Sequence, residues 1–138
     1  MYENSKVLSR GRLVVLTHGR RAGCKAVISD VVVLGKDHRL LVAGVSKAPR
    51  KITRKMNREQ ISQRIRMKTF VRPINLQHCI ITRFIIPEFA NDKTSPIDHT
   101  YLKKDSQSKS KLNKAFKIKL RDMYREGKAQ ALCSKLHF

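Results

Sequence analysis

The feature that most restricts the fold of this chain is a cadence of short apolar runs broken by glycine. Leu13-Val14-Val15-Leu16 is rich in β-branched residues, and His18-Gly19-Arg20-Arg21-Ala22-Gly23 turns it. Cys24-Lys25-Ala26-Val27-Ile28 resumes a strand that can extend through Val31-Val32-Val33-Leu34. Gly35-Lys36-Asp37 is a second turn signal, and Arg39-Leu40-Leu41-Val42-Ala43-Gly44-Val45 a third strand. Strands this short, at regular spacing and joined by tight turns, fit a small antiparallel barrel better than a βαβ unit. The 138 residues suffice for one such domain, with a tail.

Past Pro49 the pattern changes. Asn57 can cap a short helix with Gln60 three residues on, and Ile61 and Ile65 then share a face. Residues 70–74 and 80–86 read as further strands. Pro73 belongs at an edge or a bulge, because it cannot donate to a ladder. The last long element is a helix of roughly 108–126, where Leu112, Phe116, Leu120 and Met123 or Tyr124 make a packing stripe and Gly127 a stop. The expected fold class is mainly β with α. We divide the chain into a barrel over 1–86 with a basic insertion at about 47–68, an irregular connector over 87–107, and a basic helix and tail over 108–138.

Charge narrows the partners. The chain holds 31 Lys+Arg against 10 Asp+Glu, a formal net charge of +21. That balance excludes acidic interaction tails, disfavours most small-metabolite enzymes and points to a polyanion. The excess is uneven: residues 47–83 carry eleven cations and one acid, and 103–138 carry eleven cations and three acids. Between them, 84–102 carries one cation and three acids. Apolar residues interleave both basic blocks, which suggests folded elements with basic faces instead of a disordered tail. The helix over 108–126 shows this best, with Lys109, Lys111, Lys114, Lys117, Lys119, Arg121 and Arg125 opposed only by Asp122 and Glu126. A phosphate-bearing partner suits that face better than a membrane surface, which would ask for more large apolar residues. Without a polyanion, like charges along it would fray the helix. Aromatics are 6% of the chain and Trp is absent, so contacts are expected mainly to phosphate and ribose, not to stacked bases.

The stretch Gly11-Arg12-Leu13-Val14-Val15-Leu16-Thr17-His18-Gly19-Arg20-Arg21-Ala22-Gly23-Cys24-Lys25-Ala26-Val27-Ile28 carries the chemistry. Gly19 and Gly23 can take positive φ and let the backbone approach another chain. Arg20 and Arg21 then sit at the tip, and guanidinium forks and turn N–H groups are both phosphate ligands. Alone, the same residues also fit an ordinary hairpin. The stretch is similar to the KOW motif, a strand–loop–strand of SH3-like barrels in ribosomal and transcription-elongation proteins. Downstream come Leu41-Val42-Ala43-Gly44-Val45, Ala48-Pro49-Arg50-Lys51-Ile52-Thr53, Lys68-Thr69-Phe70-Val71, Asn75-x-x-His78-x-x-x-Thr82-Arg83-Phe84 and Lys135-Leu136-His137-Phe138. Together these resemble the eukaryotic large-subunit ribosomal protein family called twenty-seven-e, from about Val7 to the C-terminus.

The resemblance implies an SH3-like barrel with a C-terminal helical extension, bound to large-subunit ribosomal RNA among neighbouring ribosomal proteins, without catalysis. It implies a cytoplasmic ribosomal location with assembly in the nucleolus. The chain departs from the family pattern in three places. Arg21 stands where an aromatic is usual and Cys24 where a basic residue is usual; Ile81 replaces the usual Pro; and Ala129-Gln130-Ala131-Leu132 lacks the usual aromatics.

The candidate RNA-binding residues are Arg20, Arg21 and Lys25 of the loop, then Lys47, Arg50, Lys51, Arg54, Lys55, Arg58, Arg64, Arg66, Lys68 and Arg72 of the first block. His78, Arg83, Lys111, Lys114, Lys117 and Arg121 complete the set. The competing reading is a KOW-type nucleic-acid-binding accessory of transcription or chromatin. No enzyme is expected: His78 and Cys79 are sequence neighbours whose side chains leave a strand on opposite faces, so Cys79 reads as core and His78 as hydrogen-bonded or RNA-facing. No phosphate-cradling glycine motif occurs. Cys24, Cys79 and Cys133 are odd in number and widely spaced, and read as reduced, partly buried thiols without a zinc site. We therefore expect a soluble intracellular protein with no cofactor, no small-molecule substrate, no membrane contact, no secretory signal and no homo-oligomer.

Overall fold

The structure, a computed structural model, describes residues 6–34, 37–91, 97 and 99–136. Five strands, β1 (Arg12–Leu16), β2 (Lys25–Leu34), β3 (Asp37–Lys47), β4 (Lys68–Asn75) and β5 (Cys79–Ile85), form one sheet in the order β4-β3-β2-β1-β5. Every neighbouring pair is antiparallel. Four helices accompany it: α1 (Arg58–Ile65), α2 (Pro87–Ala90), α3 (Ser106–Arg125) and α4 (Gln130–Cys133). The protein is mainly β with α, and the sheet is barrel-like.

Two apolar clusters, one on each face of the sheet, explain the unbroken apolar runs. Val14, Leu16, Ala26, Ile28, Leu40, Val42 and Phe70 pack inside, joined by partly buried Ile74 of β4 and Cys79 and Ile81 of β5. The two edge strands thus meet in one interior cluster, which is what curls the sheet. Alternate residues Leu13, Val27, Leu41, Ala43 and Val45 face the other way, under Ile97, Tyr101, Phe116, Leu120, Met123, Ala129 and Leu132. A strand buried on both faces has no reason to alternate apolar with polar. The register shift between Ile28 and Asp30 inverts the phase of β2, so that Val31 faces the interior and Val32 the helices. One continuous strand of ten residues therefore holds both apolar runs of the second hairpin arm.

Gly44 lets the interior close. A Cβ there would stand 2.6 Å from the Phe70 ring and 2.8 Å from the Ala26 side chain, so only glycine admits the ring. Pro73 lies on β4, an edge strand, as its missing N–H demands. Gly35 and Lys36 of the expected second turn, and His137 and Phe138, lie outside the described residues, while Asp37 opens β3 opposite Leu34.

The expected irregular connector is partly helical. Pro87 starts α2, where its missing N–H leaves no bond unmade, and a 3-10 turn spans His99–Lys103. Tyr101 of that turn is buried and its hydroxyl donates to Val71 O at 3.3 Å. Of the α3 stripe, Phe116, Leu120 and Met123 are buried, whereas Tyr124 is exposed. The helix ends as the sequence suggests. Gly127 takes φ +79°, its N–H reaches Tyr124 O, and Lys128 N–H reaches Met123 O. The tail then docks as α4, burying Ala129 and Leu132 against the same cluster.

Candidate nucleic-acid interface

The β1–β2 loop is tight because two glycines make it so. Gly19 and Gly23 have φ of +86° and +82°. Gly23 N–H donates to Leu16 O at 2.7 Å and Cys24 N–H to Arg21 O at 3.1 Å, closing the turn on itself. Its base is tied to the end of β4 and the start of β5. Thr17 N–H donates to His78 O at 3.0 Å, and the His18 and His78 rings lie 4.9 Å apart.

Between the loop and β4 lies a cleft of about 440 Å³. Arg20, Arg21, Arg39, Arg72, His18 and His78 line it together with Pro73 and Ile74, and no carboxylate lines it. Arg21 does not extend from the loop tip as expected. Its guanidinium folds back over the Phe70 ring, 4.3 Å from the centroid. Burial pushes this group below the ordinary guanidinium range, Arg72 pushes it further, and Arg20 adds to them. A guanidinium remains charged under such pressure. Crowding of this kind, without a carboxylate, is relieved by a bound anion.

Other candidates gather elsewhere. Lys47, Arg50 and Arg64 line a second cleft of about 310 Å³ with Gln60 and Gln63. Its frame consists of bonds to backbone: Arg50 N–H to Arg64 O at 3.0 Å, Arg64 Nη1 to Lys51 O at 3.0 Å, and Lys47 Nζ to Gln63 O at 3.3 Å. Lys51, Arg54, Lys55, Arg58, Arg66 and Lys68 are exposed around it, in the turn before α1, on α1 and at the start of β4. On α3, Lys111, Lys114 and Arg121 are exposed and Lys117 is half-buried. Arg83 sits on edge strand β5, over the exposed Phe84 ring. Two α3 lysines turn inward to rings instead: Lys109 over Tyr101 and Lys119 over Phe89.

Lys25 has a different occupation. Its ammonium donates to Ala131 O at 3.0 Å and to Ser134 Oγ at 2.8 Å, so it holds the C-terminal tail against β2. Arg39 and His18 were not singled out in the sequence, yet both line the loop cleft. The pairing of Arg39 with Asn75, which brings β3 to the cleft, depends on a register that no local pattern reveals.

His78 and Cys79 part, though not as neighbours on one strand: His78 ends a 3-10 turn over Leu76–His78, and Cys79 opens β5. His78 is exposed at the cleft, while Cys79 packs towards the interior, donates to Leu76 O at 3.3 Å and is pushed above the ordinary thiol value by burial. All three cysteines are free and half-buried. Among the described residues, no group of three His, Cys, Asp or Glu side chains could hold a metal ion, and no helix is long and apolar enough to cross a membrane.

A family model described as the ribosomal L27e protein family matches residues 13–138, from β1 to the C-terminus. The chain belongs to that family. As an L27e protein it is a structural constituent of the large ribosomal subunit, working in translation in the cytoplasm. The L27e match runs through the sheet, both basic blocks and the docked tail. The two clefts and the α3 face are therefore surfaces of a ribosomal protein, from a family that is structural in kind.

Proposed function

We propose that this chain binds ribosomal RNA through three cationic surfaces: the loop cleft, the cleft beside α1 and the exposed face of α3. The observation that carries the reading is convergence of cations without neutralisation. Arg20, Arg39 and Arg72 meet in one cleft, and among the described residues none of them forms an ion pair. Phosphates would relieve that repulsion, and three separated surfaces on one rigid sheet would hold RNA segments at fixed geometry. With few rings exposed, the protein reads RNA shape more than sequence. A single copy sits among neighbouring ribosomal proteins and joins the subunit in the nucleolus.

Sedimentation tests this. The tagged protein is expected to travel with large subunits through a gradient at salt high enough to strip loosely bound factors. Recovery in nucleoplasmic polymerase fractions, with none on ribosomes, would overturn it in favour of a transcription accessory.

A further inference from the structure

The loop cleft differs from the other cationic surfaces in shape. The α3 face is a convex helix surface, fit to lie along a phosphate backbone. The loop cleft is concave, and its volume of about 440 Å³ is that of a site for a small ligand, within the usual range of about 300–1,000 Å³. An intact duplex cannot enter such a space, whereas a single nucleotide can.

The lining combines the chemistries a nucleotide needs. Arg39 and Arg72 both line the cleft, without carboxylates to compete for them. Pro73 and Ile74 add apolar surface, and the imidazoles of His18 and His78 lie 4.9 Å apart, His18 Nδ1 being bonded to Thr17 Oγ1 at 2.7 Å. A phosphate alone has no use for the apolar surface, but a base and ribose do. The strands also keep the cleft formed: β3 and β4 hold Arg39 and Arg72 on adjoining strands, and the Thr17 N–H bond to His78 O fixes the loop side.

We infer that the loop cleft receives one nucleotide extruded from an RNA helix, its phosphate between Arg39 and Arg72 and its base against Pro73, Ile74 and the histidine pair. The inference rests on the RNA-binding reading above and adds that one of the three surfaces selects unpaired RNA. The chain remains a reader of shape elsewhere, and here the shape read is a bulge.

The test compares two short RNA hairpins, identical except for one bulged nucleotide, by fluorescence anisotropy with the full chain at fixed salt. Wild type is expected to bind the bulged hairpin at least about tenfold tighter than the paired one. Arg72→Met and Arg39→Met, both on exposed side chains, should each reduce that preference to within about twofold. Each should flatten the salt slope on either hairpin by no more than about one unit. Lys114→Met, on the α3 face, should weaken both hairpins alike and leave the preference intact. Unchanged thermal unfolding of the variants shows that the sheet is preserved.

Equal wild-type affinity for the two hairpins would overturn the inference and leave RNA binding standing. So would a preference that survives both arginine variants. Displacement of the bulged hairpin by free AMP or UMP at comparable affinity would assign the cleft to a free nucleotide instead. If neither hairpin binds, the RNA reading falls and the inference with it.

Discussion

The two basic blocks are nearly alike in charge and unlike in anchorage. Each contains a helix with a partial apolar stripe: α1 carries Arg58 and Arg64 beside Glu59, and α3 carries seven Lys and Arg. α3 buries Phe116, Leu120 and Met123 in the cluster shared with the sheet, and Asn113 locks it to β4 through Thr69 at 2.9 Å. α1 buries no residue: Ile65 is 49% exposed, and Ile61, expected to share its packing face, is only half-buried. A few exposed hydrogen bonds to its flanking loop hold it, with Asn57 N–H donating to Gln60 Oε1 at 3.4 Å. Apolar burial thus anchors α3, whereas α1 is held by hydrogen bonds. The fraying expected of the long helix is opposed by three core side chains, and α1 is the helix that lacks such an anchor.

The sharpest way to break this contrast is to cut the anchor. Leu120 is fully buried, so Leu120→Ala should destabilise the protein by about 2–5 kcal/mol in urea unfolding. Ile65→Ala should stay within about 0.5 kcal/mol, as a half-exposed side chain does. Comparable losses from both would mean that α1 is docked as firmly as α3, and the contrast would be wrong.

A smaller effect separates the blocks in binding. Neutralising Arg54 and Lys55 beside α1, or Lys111 and Lys114 on α3, removes two cations either way. Each pair should flatten the salt dependence of RNA affinity by about 1.4–1.8 units. The affinity lost at fixed salt should nevertheless be greater for the α3 pair. Its cations ride on a helix anchored by core side chains, whereas Arg54 and Lys55 lie in an exposed turn, where ordering on binding offsets more of what they gain. Titrations of the four proteins at three salt concentrations decide it. Equal losses at every salt would show that the turn beside α1 is as ordered in the free protein as α3.

The sequence carried the strand cadence, the edge position of Pro73, the long helix with its stripe, and most of the Arg and Lys side chains of both clefts. Its limits had physical causes. Burial on both faces erased the alternation that would have revealed register, and with it the presence of Arg39 at the loop cleft. Periodicity could not choose between Met123 and Tyr124, because both lie near the stripe and only docking selects one. Lys25 read as a loop cation because its partners, Ala131 and Ser134, lie more than a hundred residues away. For want of aromatics the tail's sequence left its docking open, and Ala129 and Leu132 suffice where the sheet presents Val32 and Val45.

That docked tail extends the contrast to the C-terminus and supplies the finest test of it. Beside Lys25 lies Cys133, whose thiol burial pushes up to about 11 from an ordinary 9.0, with the Lys25 ammonium pulling it back. The folded value exceeds the unfolded one, so the fold favours the neutral thiol. Its stabilising contribution is whole below pH about 9 and is lost as the pH rises towards 11, where folding must bury a thiolate. Lys25 runs the opposite way, since burial lowers its value and loss of its proton relieves a strain in the same window. The quantity to measure is therefore the difference between wild type and Cys133→Ala, which leaves Lys25 in place. The urea midpoint of wild type should fall more steeply than that of the variant between pH 9 and pH 10.5. At pH 8 the Cys133 thiol should also react with iodoacetamide more slowly in the folded protein than in urea. Parallel midpoints and full reactivity in the folded state would mean that α4 is undocked in solution, so that the anchored half of the molecule ends at Gly127.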